Sequence, residues 1–114
     1  MYHEVRKSVW DAVEACRKIQ EFSAGCALKD YLADEMRRRA IERLFEILGE
    51  ALNRVDVAEP SFRDLVPEMG NAIGMRNRIA HGYDRVRDEA VWLTAKDNVP
   101  ALYAKLDAWL KKNG

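Results

Sequence analysis

The sequence predicts an all-α protein, folded as an antiparallel bundle of about four to five helices. Apolar residues recur at intervals of three and four along most of the chain, as one buried face of a helix requires. These stretches are separated by isolated glycines and prolines, and no β-hairpin signal lies between them. Consecutive amphipathic helices joined by short loops are typical of an antiparallel bundle.

The first two predicted helices carry the longest apolar stripes. The first ends near Gly25, and its stripe consists of Val5, Val9, Ala12, Val13, Cys16 and Ile19. The second runs from about Lys29 to Val55. Its first half exposes charged residues, and its second half carries a stripe made of Ile41, Leu44, Phe45, Leu48, Ala51, Leu52 and Val55.

Prolines delimit the next part of the chain. Pro60 ends the long helical pattern, and Ser61 with Asp64 is typical of a helix start. Pro67 interrupts the pattern again, because proline is not accommodated inside a helix. The following helix is therefore expected from about Asn71 to His81.

Gly82 should end that helix, because glycine commonly follows the last helical residue. Two shorter helices are predicted from about Asp88 to Lys96 and from Val99 to Lys111, the second with an apolar face of Leu102, Leu106, Trp109 and Leu110. All three tryptophans lie on or beside such stripes. We therefore interpret them as core residues rather than platforms for stacked bases: Trp10, Trp92 and Trp109.

Residues 1–114 form one predicted domain, because no stretch resembles a linker and the length is typical of a single unit. Hydrophobic residues make up 48% and charged residues 33%, which excludes a disordered chain. No apolar run approaches the roughly 20 residues that cross a bilayer, and the first residues lack the apolar core of a signal peptide. We expect a cytoplasmic protein with no membrane partner, in which Cys16 and Cys26 are reduced and Cys16 is a core residue.

The charge distribution is uneven although the formal net charge is zero. Zero net charge argues against a globally basic coat for nucleic acid, yet ten of the twelve arginines fall between Arg37 and Arg87. Within this cluster, Arg37, Arg38 and Arg39 are either a solvated helix face or a local basic surface for RNA phosphates. The sequence leaves both interpretations open.

The stretch Arg76-Asn77-Arg78-Ile79-Ala80-His81-Gly82-Tyr83 places an arginine, an imidazole and a phenol near a predicted helix end. Arginine offers a permanently charged fork for phosphate oxygens, and histidine moves a proton near neutral pH. The phenol is a potential nucleophile or modification site. A structural alternative exists, because arginine and histidine also cap helix C-termini.

Written as R-N-x-x-x-H-x-Y, this stretch resembles the signature of the HEPN superfamily, and specifically of its HepT branch. The similarity extends from about Trp10 to Leu110. Glu68-Met69 is a departure, since relatives carry Pro-Trp there. Other segments are similar in family order: Ile47–Ala51 to I-x-G-E-A, Ile73–Met75 to the lead-in of the motif, Val91-Trp92 to V-W, and Asp97–Leu102 to D-x-L-P-x-L.

The resemblance implies an endoribonuclease toxin of a bacterial or archaeal, type VII-like toxin–antitoxin pair, which cleaves mRNA or tRNA without a metal or cofactor. Arg76 would hold the phosphate and stabilise its developing charge, and His81 would move the proton. At 100° per residue these side chains lie about 140° apart on an unbroken helix, so they do not share a face. The helix end at Gly82 can free His81 from the helical direction, the long Arg76 side chain can turn towards it, or a second protomer can pair the two motifs. The resemblance implies the last of these, a homodimer in which the motifs of two protomers meet in one cleft.

Three further residues are candidates for supporting roles. Arg78 adds positive charge beside the motif, and Asn77 is expected to orient the backbone or the arginine. Glu50 either supports Arg76 or is a solvated acid on a long helix, and the sequence does not decide between these roles. No group of Cys, His and carboxylate side chains is spaced as a metal site.

The resemblance also implies a protein partner, an MntA-like minimal nucleotidyltransferase antitoxin that transfers AMP to Tyr83. Without the family pattern, Tyr83 would be interpreted as a residue that packs on the bundle or stacks on a base. An alternative function is a non-catalytic helical dimerisation module that binds the nucleotidyltransferase. The two functions differ at Arg76 and His81, because a nuclease needs both and a scaffold tolerates their loss.

Overall fold

The computed structural model describes residues 2–80 and 88–114, and these ranges contain seven α-helices and no strand. Five helices span ten residues or more, which confirms the predicted all-α bundle. In chain order the helices are α1 Tyr2–Ser23, α2 Leu28–Ala33, α3 Glu35–Ala58, α4 Phe62–Leu65, α5 Met69–Ala80, α6 Asp88–Asp97 and α7 Val99–Lys112.

Helix α3 is the centre of the bundle. It packs against both α1 and α5, and α7 packs against α1. Arg63 on α4 pairs with Asp56 near the end of α3 and lies beside Gly70 at the start of α5. Arg76, near the end of α5, approaches Gly49 in the middle of α3, so α5 runs antiparallel to α3. Within the described ranges, no helix is both long enough and apolar enough to span a membrane.

The predicted apolar stripes form the core. Every stripe residue named above for α1 and for the second half of α3 is buried. Gly25 has a φ of +67°, a left-handed conformation that glycine adopts without strain, and α1 ends two residues before it. Cys16 is fully buried, as predicted, and burial raises the pKa of its thiol to about 12. Both cysteines are free thiols.

The prediction of a single long helix from Lys29 to Val55 was wrong, because Asp34 interrupts the helix. This residue has extended backbone angles of φ −115° and ψ 93°. Its carboxylate accepts a hydrogen bond from the backbone amide of Arg37 at 3.0 Å, so it caps the start of α3. Continuing the helix through Asp34 would remove this cap, and the short helix α2 results.

The chain reaches α5 through a short turn of helix. α4 follows Ser61, whose side chain makes no capping hydrogen bond. α5 begins at Met69, which is fully buried, and the neighbouring Glu68 accepts a hydrogen bond from Lys105 at 2.8 Å. The departure from the family pattern at Glu68-Met69 therefore supplies one core residue and one ion pair. The predicted end of this helix, with His81 and Gly82, lies outside the described residues.

The tryptophans do not share one environment. The prediction that Trp10 is a core residue was wrong, because its side chain is 46% exposed, with the ammonium of Lys7 5.4 Å from the ring centroid. Trp92 packs against the core, and its Nε1 donates a hydrogen bond to the carbonyl of Cys26 at 2.9 Å. Trp109 also packs against the core, with its ring edge-on to Phe62 at 5.2 Å between centroids.

Candidate active site

Arg76 lies on the face of α5 that packs on α3. It follows Ala72 by four residues, and residues at this spacing lie on the same side of a helix. Ala72 is fully buried, whereas 28% of the Arg76 side chain remains exposed. The aliphatic stem of Arg76 is therefore held between the two helices while its guanidinium reaches the surface.

Gly49 on α3 provides the space for this stem. A Cβ atom placed on Gly49 would lie 2.1 Å from the Cβ of Arg76 and 2.6 Å from its Cγ. The same atom would lie 3.3 Å from the carbonyl oxygen of Ala72. Carbon atoms in contact are normally about 3.5–4.0 Å apart, so no side chain fits at Gly49 while α5 keeps its position.

Among the described residues, the guanidinium of Arg76 has two partners. Its Nη2 lies 3.6 Å from Oε2 of Glu50, and its Nη1 donates a hydrogen bond of 3.1 Å to Oδ1 of Asn77. The Glu50 side chain is 61% exposed, and exposed ion pairs contribute about 0–1 kcal/mol to stability. The pair therefore affects the direction of Arg76 more than the stability of the fold, and Glu50 is not simply a solvated acid.

Arg78 is not brought to the same place. It lies two residues after Arg76, so the two side chains leave α5 about 160° apart. Arg78 is exposed, and within the described part of the chain it forms no ion pair. His81 and Tyr83 lie outside the described residues, so their closeness to Arg76 remains a prediction.

The arginines at the start of α3 are compensated by carboxylates. All three have an acidic side chain within 4 Å, with N–O distances of 3.6–3.7 Å in the pairs Arg37–Asp34, Arg38–Asp88, Arg39–Glu35 and Arg39–Glu42. A basic surface for RNA requires positive charge that is not already neutralised. Of the two interpretations of Arg37, Arg38 and Arg39, the structure therefore favours a solvated, ion-paired helix face.

Arg38 also connects α3 to the residues beyond the motif. Its Nε lies 3.6 Å from Oδ2 of Asp88, the first residue of α6. The helix that precedes residues 81–87, α5, contacts α3 through Arg76, and the helix that follows them, α6, contacts α3 through the ion pair of Asp88 with Arg38.

Gly49 and Arg38 had no individual role in the sequence-based prediction. The signal for Gly49 is its place inside a helix, where glycine costs about 1 kcal/mol relative to alanine and commonly marks a close approach of backbones. For Arg38 no local signal exists, because its partner Asp88 lies on another helix at a distant point of the sequence.

A cavity of about 1160 Å³ lies elsewhere, between the first half of α1 and the end of α3, with Trp10, Arg54 and Val57 in its lining. Arg76 does not line it. Among residues 2–80 and 88–114, no group of three or more His, Cys, Asp or Glu side chains is placed to hold a metal ion. The arrangement around Arg76 offers a fixed cationic fork, which suits an anionic oxygen such as that of a phosphate.

Comparisons with known proteins match this chain to the family that its motif resembles. The family model described as "Ribonuclease HepT-like" matches residues 12–109. A protein of Thermococcus cleftensis, described as a probable ribonuclease HepT, is 31% identical over 85% of this chain and 87% of its own length. A candidate RNase of Methanocaldococcus jannaschii is 24% identical over 91% of this chain and 94% of its own.

A bacterial relative extends the comparison. A candidate RNase of Caldanaerobacter subterraneus is 28% identical over 88% of this chain and 88% of its own length. No solved structure matches the chain significantly. The relatives are covered over nearly their whole length, so the similarity includes the motif, α3 and the helices around them.

Proposed function

This chain belongs to the HepT-like ribonuclease family, and from that membership we propose that it is a metal-independent endoribonuclease toxin. The observation that carries the proposal is the placement of Arg76. Its stem is fixed against Gly49, its guanidinium is directed by Glu50 and Asn77, and it opens the motif that ends in Tyr83. The names of the relatives place ribonuclease activity in the same family.

The proposed reaction is attack of the RNA 2′-hydroxyl on the adjacent phosphorus. The O2′–P bond forms and the P–O5′ bond breaks, which yields a 2′,3′-cyclic phosphate and a 5′-hydroxyl. His81 takes the proton from O2′ or supplies one to O5′, a contribution on the order of 10²- to 10⁴-fold, and water carries the other of these two protons. Arg76 binds the phosphate oxygens and stabilises the negative charge that grows there.

We propose that the site is completed by a second protomer. Arg76 and His81 are five residues apart and would diverge by about 140° on a continuous helix, which favours a site in which the two residues come from different protomers. A two-fold axis beside α5 would bring the Arg76 of one protomer towards the His81 of its partner. Arg78, on the far side of α5, would then lie near the same axis.

Cleavage without a metal is the direct test of the proposed function. We expect the purified chain to cut single-stranded RNA in the presence of EDTA, because arginine and histidine supply the charge and the proton transfer. Products should carry 2′,3′-cyclic phosphate and 5′-hydroxyl ends, detectable by mass spectrometry and by labelling with polynucleotide kinase. Loss of cleavage on chelation, or products with 5′-phosphate ends, would contradict the proposed chemistry.

A site that is shared between two protomers requires the protein to be a dimer in solution. At micromolar concentration, light scattering or sedimentation should give twice the 13.1 kDa mass of the chain. A monomer that is fully active in RNA cleavage would show that one chain holds the whole site, and the proposed pairing across a two-fold axis would then be wrong.

A nucleotidyltransferase partner is part of the proposal. We infer that it silences the toxin by transferring AMP from ATP to the Tyr83 hydroxyl, with release of pyrophosphate. The support is the family membership and the position of Tyr83, two residues after His81. An AMP group there adds negative charge beside the residues that bind the RNA phosphate.

One observation favours the alternative of a non-catalytic module that binds the same partner. Arg76 already has protein partners in Glu50 and Asn77, as a structural arginine does. The two functions are distinguished by substitution of Arg76, because the nuclease loses cleavage whereas the module keeps its binding to the nucleotidyltransferase.

A further inference from the structure

Helix α3 contains a single glycine, and it stands opposite Arg76. Glycine destabilises a helix interior relative to alanine, so its presence on a buried face calls for a physical reason. The reason is visible in the contact between α3 and α5. The Cβ and Cγ of Arg76 occupy the volume that a Gly49 side chain would fill, at 2.1 and 2.6 Å from the ideal Cβ position.

The obstacle is rigid. The Cβ of Arg76 is attached directly to the backbone of α5, so it moves away only if the helix moves. Gly70 offers a contrast, because the nearest atom to a Cβ there is the Nη1 of Arg63 at 3.4 Å, the end of a flexible side chain. A Cβ on Gly74 would meet no atom of the described residues within 4 Å. Among these three glycines, only Gly49 sets the distance between two helices.

The contact between Gly49 and the Arg76 stem also determines where the Arg76 guanidinium lies. Glu50, the next residue on α3, lies 3.6 Å from the guanidinium whose stem Gly49 accommodates. One turn of α3 therefore sets both the depth of the Arg76 stem and the direction of its charged end. To reach ordinary van der Waals distance from a new Cβ, α5 would have to retreat by more than about 1 Å. That displacement would carry the guanidinium away from Glu50.

We propose that Gly49 is a positioning residue for Arg76, and that it acts by seating the arginine stem against the backbone of α3 so that the guanidinium meets the RNA phosphate. The catalytic part of this proposal rests on the ribonuclease function proposed above. Displacements of about 1 Å in a reacting group are able to lower rates on the order of 10²-fold, so a single methyl group at Gly49 should have a large effect.

Gly49→Ala and Gly70→Ala form a matched pair, since each adds one methyl group to a helical glycine, and the atom nearest to the new methyl at Gly70 is the end of a flexible side chain. Compared with the parent enzyme, Gly49→Ala should cleave RNA with a kcat lower by roughly 10²-fold. Its KM for the RNA should change by less than about threefold. Gly70→Ala should retain the parent kcat. Light scattering and circular dichroism should show that both variants keep the parent mass and helicity at the assay temperature. Equal kcat values for the two variants would overturn the proposal.

A spectroscopic signature reports on the arginine without any RNA. The side-chain Nε–Hε resonance of Arg76 can be assigned by its absence from Arg76→Lys. In Gly49→Ala this resonance should shift while the remaining arginine resonances stay in place, and Gly70→Ala should leave it unmoved. An unshifted Arg76 resonance in folded Gly49→Ala would also overturn the proposal.

A double-variant cycle covers the case in which Gly49→Ala folds poorly. Arg76→Gly removes both clashing atoms, so Gly49→Ala should lower the Tm by at least about 5 °C in the parent and by much less in the Arg76→Gly background. An equal loss in both backgrounds would show that Arg76 is not the obstacle. If the parent chain cleaves no RNA, the proposed function fails, whereas the resonance and the cycle still decide whether Gly49 positions Arg76.

Discussion

Replacing Arg76 or His81 with alanine is expected to abolish most of the ribonuclease activity. Arg76→Ala removes a pre-positioned cation from the phosphate, a loss that typically costs about 10²- to 10³-fold in kcat. His81→Ala removes the proton carrier and should cost about 10²- to 10⁴-fold. Arg76→Lys keeps the charge but not the planar fork, so its rate should lie between those of the parent and Arg76→Ala. Initial rates on a labelled RNA, together with growth arrest on expression, measure these effects.

Arg17→Ala is the matched control for loss of an arginine. Arg17 lies on α1 and is 46% exposed, with Glu14 at 3.0 Å and Glu21 at 3.5 Å on the same helix. Its removal should leave cleavage and toxicity unchanged, because exposed pairs of this kind contribute little. Full cleavage and full toxicity in either Arg76→Ala or His81→Ala would refute the catalytic assignment and favour the non-catalytic module.

The same two variants test the composite site. A dimer that combines one Arg76→Ala chain with one His81→Ala chain keeps one intact pair if Arg76 acts with the His81 of its partner. Mixing the two inactive proteins should therefore restore part of the activity, whereas each alone stays inactive. Absence of any recovery, with exchange of chains demonstrated by mass spectrometry, would contradict pairing between protomers.

Hydrophobic periodicity was sufficient to predict the main helices and their buried faces. The stripes of α1 and α3 are buried as predicted, because a continuous apolar face at helical spacing has few alternatives to packing in the core. The competition of a polar side chain with the helix for a backbone amide was harder to predict. The carboxylate of Asp34 captures the amide of Arg37 and divides the predicted long helix, although neither residue interrupts the apolar pattern.

Trp10 shows another limit of the pattern. A residue at the edge of a stripe belongs to the core only if a neighbouring helix covers it, and the sequence of one helix does not contain that information. In the candidate site, too, some contacts were predictable from the sequence and others depend on how the helices pack. The pairing of Glu50 with Arg76 was one of two alternatives that the sequence allowed, whereas the contact of Gly49 with the Arg76 stem depends on the distance between α3 and α5.

Modification of Tyr83 should switch the enzyme off. Two residues span at most about 7 Å, so a group attached to Tyr83 remains close to His81 and to the phosphate-binding residues. An AMP adduct adds a phosphate, for which the Arg76 guanidinium is a bidentate partner, and this phosphate would occupy Arg76 in place of RNA. Protein co-expressed with its nucleotidyltransferase should carry AMP mass increments on the Tyr83 peptide and should show little cleavage.

The control for this modification is another tyrosine in the same chain. Tyr31 is fully buried and out of reach of a modifying enzyme, whereas Tyr103 on α7 is partly exposed. Tyr103→Phe should therefore be modified and silenced like the parent, and Tyr83→Phe should gain no AMP and stay toxic beside the partner. Because phenylalanine removes only the acceptor oxygen, Tyr83→Phe without the partner should cleave RNA at the parent rate. If the partner protects cells equally well from Tyr83→Phe, it inhibits by forming a complex, and modification is not the switch.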